Sequence, residues 1–427
     1  MITSTPIIGY VGMTHLGLNS AVAAADKGFE VVCYDPDLSR VSALKKSELP
    51  VVEPDLPELL KKNVQRIMFT ADPRELTSCG VVYIAQDVPT DEFGKSDLSK
   101  IDALINQVDM VLHADVAMIV LCQVPPGFTR ARMRSGRTMY YQVETLIFGR
   151  AMERARFPER FIVGCAEPDQ PLLSTFRTFL ESFDCPILPM RYESAELAKI
   201  SINMCLVASV GVANTMAEVC EHVGADWSEI VPALKLDKRI GQYSYLAPGL
   251  GISGGNLERD LATVLTLSKK HETDGGIVSA WVANSGHCKD WAWRTLKKYM
   301  LAQNPAAKIA VLGLAYKEDT HSTKNSPSLL LLSHLLDYSV VVYDPVVSPS
   351  HAGISFKAAS NALKAVEDAD VVCIMTPWGE FKKLLPLELA SQMRGRLLID
   401  PYKVIESKAA KNAGLQHVTL GVAPEGI

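Results

Sequence analysis

The sequence predicts an α/β protein: two doubly wound parallel sheets, one toward each end, joined by a central helical domain with one long helix. Two segments read as copies of each other. Phe29-Glu-Val-Val-Cys-Tyr-Asp35-Pro matches Ser339-Val-Val-Val-Tyr-Asp344-Pro, each a β-branched strand closing on an acid. Each copy follows a glycine-marked turn, Gly9-Tyr-Val-Gly12 and Gly313-Leu-Ala-Tyr-Lys317, and precedes a second apolar strand. Short buried strands alternating with helical stretches indicate βαβ units and a parallel sheet. Between the copies lies a proline-free stretch rich in Ala, Leu, Met and Val, from Glu193 to about Val223. At 1.5 Å per residue it forms a helix of roughly 45 Å, too long for one small domain to cover. Its apolar residues surround most of the circumference, so both flanks should be buried, one of them by another subunit.

Size and composition agree with this plan. The 427 residues correspond to about three ordinary domains. Hydrophobic residues make up 48% and charged residues 21%, the composition of a chain with ample core material. Lys and Arg total 43 against 48 Asp and Glu, a formal net charge of −5 that offers nucleic acid or anionic lipid no general attraction. Met1–Pro6 lacks the charged and apolar regions of a signal peptide. No uncharged apolar run reaches the roughly 18–20 residues of a membrane helix, so a cytoplasmic protein without a membrane partner is expected. Nine dispersed cysteines with no CxxC pair argue for reduced thiols rather than disulfides or a zinc site, and no metal is expected.

In chain order, the first α/β unit should hold a helix from Leu16 to Lys27 and strands at 29–35, 81–85, 116–121 and 161–164. Helices continue at 256–300, Gln303–Ala307 reads as a linker, and strands at 339–344, 371–375 and 397–400 build the last unit. The expected domains are 1–188, 189–303 and 304–427.

Gly9, Tyr10, Val11 and Gly12 read as a dinucleotide loop, and Asp35 follows Gly12 by 23 residues. In such Rossmann-like folds the glycines let the backbone approach a pyrophosphate, and the acid accepts the ribose hydroxyls of NAD. In this register the first glycine of G-x-G-x-x-G falls at Ile7. Lys199 and Asn203, four apart on a helix, share a face, where an ammonium and an amide can stabilise an alkoxide.

Further motifs run in order along nearly the whole chain. They include Glu53-Pro54 in LPVVEPDLPELL, the tract VPTDEFGKSDL, Val124-Pro-Pro-Gly127, and Ser194-Ala-Glu-Leu-Ala-Lys199 with Asn203. Arg239-Ile-Gly241, Pro248-Gly-Leu-Gly251 and Gly313-Leu-Ala-Tyr-Lys317 with Ser326-Pro327 complete the set. The chain resembles the nucleotide-sugar dehydrogenases (UDP-glucose and GDP-mannose dehydrogenases). The resemblance implies NAD as cofactor, a nucleotide-sugar substrate, a homodimer through the long helix, and a place in polysaccharide biosynthesis. It implies catalytic roles for Lys199, Asn203 and Asp260, the last orienting the lysine and a water. Pro89, Thr90 and Arg259 would meet the cofactor, and Glu144, Arg239, Tyr245, Gly251 and Lys317 the substrate.

The departures from the family pattern bear on chemistry. Family members oxidise a sugar C6 hydroxyl to a carboxylate in two hydride transfers, holding the intermediate aldehyde on a cysteine. In Ser253-Gly-Gly-Asn256-Leu-Glu-Arg-Asp260, Asn256 stands in the cysteine's place. An amide nitrogen is delocalised and does not attack an aldehyde as a thiolate does. Gln123, Phe148, His321, Ser322, Lys324 and Tyr402 also replace family residues. The expected activity is oxidation of a CH–OH group that stops after one hydride transfer. Two alternatives stay open: a β-hydroxyacid-dehydrogenase-like enzyme, which shares the Lys-x-x-x-Asn pair, and a catalytically silent NAD- or nucleotide-binding protein.

Overall fold

The computed structural model describes residues 5–89, 91 and 96–424, which divide into two compact units, 1–202 and 203–427. The first unit is built on eight strands: β1 (Ile8–Val11), β2 (Val31–Tyr34), β3 (Ile67–Thr70), β4 (Val81–Ile84), β5 (Ala117–Val120), β6 (Met139–Gln142), β7 (Phe161–Cys165) and β8 (Ile187–Arg191). Their order is β3-β2-β1-β4-β5-β6-β7-β8. All neighbours pair in parallel except β6 and β7, which run antiparallel through Tyr141↔Gly164. Strands β1, β2, β4 and β5 are buried along their whole length, as a sheet covered on both faces requires. Chain order reverses between β1 and β4, and there such sheets open a binding crevice at the strands' carboxyl ends.

The second unit carries a six-stranded, wholly parallel sheet from β9 (Lys308–Leu312), β10 (Ser339–Tyr343), β11 (Lys357–Ala358), β12 (Val371–Ile374), β13 (Leu397–Ile399) and β14 (Gln416–Val418). Its order, β11-β10-β9-β12-β13-β14, repeats that of the first six strands of the other sheet. The repeat suggested by the two Tyr-Asp-Pro strands is therefore a repeat of topology. Helices Trp227–Leu236, Asn256–His271, Gly276–Lys289 and Trp291–Leu296 precede this sheet. Trp291 and Leu296 are buried in the same core as strands β9, β10, β12 and β13. Glu221 accepts from the Gly421 amide (3.0 Å) and from Trp291 Nε1 (3.1 Å), joining the helices to the end of the chain.

The long helix spans Tyr192–Val223, 32 residues, and crosses the division between the units. One expectation about it needs correction. By length and composition it could cross a bilayer, since no charged residue falls between Lys199 and Glu218. Val212, Met216, Val219 and Val223 are exposed in the single chain, at helical spacing along one stripe.

Candidate active site

The dinucleotide loop sits five residues later than the glycine spacing suggested. Gly9, Tyr10 and Val11 are not loop residues. They lie inside β1, paired on one side with Val32, Cys33 and Tyr34 and on the other with Val82, Tyr83 and Ile84. Tyr10 is stacked on Tyr83 at 5.0 Å in the core, and a Cβ at Gly9 would meet Leu76 and Val82 at 3.0 Å. Packing, rather than a cofactor, accounts for both. The turn begins at Gly12, with φ +92°, and the helix starts at His15. Gly17 then takes the third glycine position: a Cβ there would lie 1.9 Å from the Gly12 carbonyl oxygen. The fingerprint is Gly12-x-Thr14-x-x-Gly17, with threonine in place of the second glycine, and Asp35 follows Gly17 by 18 residues. That spacing to the acid was the signal that could have set the register.

Asp35 is buried, and its own loop engages it. Oδ2 accepts from the Met13 amide (2.7 Å) and from Arg40 Nη1 (2.9 Å), and Oδ1 accepts from the Asp37 amide (3.0 Å). Asp344 does the same in the second sheet, accepting from the amides of Leu314 (2.6 Å) and Ala315 (3.1 Å) and from Trp378 Nε1 (3.0 Å). The acid at the end of the second strand thus first holds the turn after the first strand. Arg40 is paired with Asp35, which neutralises it. NAD is therefore expected to bind about tenfold or more tighter than NADP, and Asp35→Asn, which releases Arg40, should narrow that ratio. Calorimetric titration of both cofactors checks this; tighter binding of NADP by the native protein would refute it.

The loop after β4 meets the same turn. The Asp87 amide donates to Thr14 Oγ1, and Asp87 Oδ2 accepts from the His15 amide, both at 3.0 Å. Pro89 accepts from the Asp97 amide (2.9 Å); Thr90 lies outside the described residues. His15 also orders the loop after β6. Its Nε2 is 2.8 Å from Glu53 Oε1, and Glu53 accepts from the amides of Gly149 (2.8 Å) and Ala151 (3.2 Å). The Phe148 ring lies 4.1 Å from the His15 ring. Glu144, in this loop, accepts from the Leu146 amide and faces Lys199 Nζ at 3.5 Å. Three residues before Lys199, the wholly buried Glu196 accepts from the amides of Gly127 (2.5 Å) and Thr129 (2.8 Å). It fastens the lysine's helix to the Val124-Pro-Pro-Gly127 turn. None of Thr14, Gly17, Asp87, Arg40 or Glu196 was singled out from sequence.

In the second unit Asn203 donates from Nδ2 to Asp260, whose other oxygen lies 3.4 Å from Arg259 Nε. All three side chains are buried. Asn256 is the first residue of the helix that carries Asp260, and it is exposed. Two residues on, Glu258 accepts from Lys289 Nζ (2.9 Å) and from Asn325. Gly251 has φ +73°, and a Cβ there would sit 2.4 Å from the Ser285 carbonyl oxygen, so the turn before the helix tolerates no side chain. Arg239 is exposed and paired with Asp237 (Nη2–Oδ2 2.6 Å); Tyr245 is half exposed. Lys317 lies in the long turn after β9, with its ammonium 5.9 Å from the Tyr316 ring.

All nine cysteines are free. Burial pushes the Cys288 thiol up to about 11, which keeps it protonated and poorly nucleophilic at neutral pH. Cys205 is exposed on the long helix.

The glycine turn, the buried acid and the doubled sheet order define a dinucleotide-dependent dehydrogenase. Residues 7–178, 193–285 and 310–407 match, in turn, the NAD binding domain, the central domain and the UDP binding domain of the UDP-glucose/GDP-mannose dehydrogenase family. The chain belongs to that family and is an NAD-dependent oxidoreductase of nucleotide sugars. UDP-glucose 6-dehydrogenase TuaD of Bacillus subtilis is 27% identical over 431 residues, covering 97% of this chain and 93% of that one. The UDP-glucose 6-dehydrogenase of Pseudomonas aeruginosa is 29% identical over 417 residues, covering 91% and 92%. A UDP-glucose dehydrogenase structure from Pyrobaculum islandicum shares the fold, with a TM-score of 0.84 at 24% identity over 99% of both chains.

Gly12 and Gly17 bring the strand, the turn and the helix start close enough for a bound dinucleotide, so the residues present fit NAD at this crevice. The residues that would hold it are the 12–17 turn and Asp35. When bound, NAD accepts hydride from the alcohol carbon.

Proposed function

We propose that this protein oxidises an alcohol carbon of a UDP-linked hexose and releases a carbonyl product after a single hydride transfer. One observation carries the reading: the two expected donors are each held by a carboxylate. Lys199 is held against Glu144, and the Asn203 amide is fixed by buried Asp260. Donors held in place ahead of reaction stabilise an oxyanion without reorganisation. In this reading Glu144 steadies the ammonium, the lysine meets the alcohol oxygen as its proton passes to water, and Asp260 holds the Asn203 amide. Asn256 offers no thiolate to hold an aldehyde for a second oxidation, and the burial-raised thiol of Cys288 is a poor replacement.

The likeness to UDP-glucose 6-dehydrogenases favours a UDP-hexose. In the same reading the segments 1–188, 189–303 and 304–427 divide the labour into cofactor binding, dimerisation and nucleotide-sugar binding. Arg239, Tyr245, Gly251 and Lys317 line the substrate, and Pro89, Thr90 and Arg259 meet the cofactor. The exposed stripe Val212, Met216, Val219, Val223 supports a homodimer through the long helix. The protein would act in the cytoplasm, without nucleic acid or membrane, in polysaccharide biosynthesis.

The test is stoichiometry. UDP-glucose, UDP-N-acetylmannosamine and GDP-mannose are each incubated with NAD, with NADH and product mass read together. One NADH per sugar and a product trapped by a hydrazine are expected. Two NADH and a carboxylate would refute the reading. No NADH with any sugar would favour a silent binding protein.

A further inference from the structure

The His15 amide is the first of the helix His15–Asp26, one of the donors that a helix leaves without an internal acceptor. In dinucleotide folds, amides at this helix start receive the cofactor's diphosphate oxygens. Here Asp87 Oδ2 accepts from it at 3.0 Å, although the two residues lie 72 apart in sequence. Thr14, where the fingerprint has a glycine, does not cap the helix with its hydroxyl. It accepts instead from the Asp87 amide and so seats the carboxylate.

We propose that Asp87 is an internal stand-in for the cofactor diphosphate, holding the His15 amide in the free protein and leaving it when NAD binds. The inference rests on NAD occupying this crevice. Asp87 thereby sets cofactor affinity without taking part in hydride transfer.

Geometry makes the exchange feasible. Asp87 is reachable from solvent, yet enough protein surrounds its carboxyl to strip much of its hydration. That loss of hydration pushes the carboxyl above its ordinary range, and nearby Glu144 adds to it. The Thr14 and His15 hydrogen bonds and the His15 ring act in the opposite sense. The Cys122 thiol also faces it, while His15 is paired with Glu53 and Glu144 with Lys199. An arriving diphosphate raises the carboxyl further. Its protonation is then easier in the complex than in the free protein, so affinity rises as pH falls through the Asp87 titration.

The test is calorimetric titration of NAD into the full-length native protein, Asp87→Asn and Asp87→Gly at pH 5.5 and pH 8, with thermal unfolding as a folding check. At pH 8 Asp87→Gly should bind NAD about tenfold tighter, since one charge-assisted competitor is gone. Asp87→Asn should also bind tighter and lose most of the native pH dependence; it decides alone if the glycine variant is unfolded. Affinities within twofold of native in the folded variants would overturn the inference. So would weaker binding, which would make Asp87 a direct ligand of the cofactor. Absence of NAD binding by the native protein as well would overturn the cofactor site itself, and the inference with it.

Discussion

Gly17→Ala is expected to cost the first unit more stability than any other single methyl-sized change in the cofactor turn. The added carbon would lie 1.9 Å from the Gly12 carbonyl oxygen, which belongs to backbone and cannot rotate aside. Relief requires the helix His15–Asp26 to move off the sheet, breaking the seat of Leu18, Ala21, Val22 and Ala25, all fully buried. Overpacking of this kind costs about 3 kcal/mol or more where nothing flexible yields. For a unit of this size that is a melting-temperature loss of about 10 °C. NAD binding should fall with it, because the same displacement carries the Gly12 turn away. Differential scanning calorimetry of the whole protein reads the first effect and titration the second. A melting temperature within about 2 °C of native would show that the turn relaxes more easily than its packing implies.

Lys199→Ala is expected to lower kcat by about three orders of magnitude while leaving NAD affinity near native. The lysine is largely buried beside Glu144, so its charge acts where water screens it poorly. Removing it withdraws the cation proposed to meet the developing alkoxide. Lys199→Arg should recover little, since a planar fork cannot present its charge at the point an ammonium does. Single-turnover measurement of NADH formation separates the chemical step from product release. A kcat within threefold of native would move the oxyanion site elsewhere, with the Asn203 amide the remaining donor.

Much of this protein was legible before folding. The β-branched runs before Asp35 and Asp344 form β2 and β10, one in each sheet, and are largely buried, as strands of covered parallel sheets are. The helix over Tyr192–Val223 followed from its composition, and the spacing of Lys199 and Asn203 from helical geometry alone. The register of the cofactor turn was not legible. Gly9 and Gly12 offer the same spacing as part of the expected fingerprint, and glycine is normally a poor strand residue. Here Gly9 belongs to the strand because Leu76 and Val82 fill the space a side chain would need.

What the sequence determined by itself was the α/β class, the doubled strand pattern and the long helix. Each is written in local runs or fixed spacings, where chain geometry constrains neighbours directly. The tertiary structure alone decided which partners meet across long separations: Asp87 on the His15 amide, Glu196 on the Gly127 turn, Glu53 on both His15 and the Gly149 loop. A carboxylate can satisfy any orphan amide that folding brings within 3 Å, and no spacing along the chain encodes which one that will be.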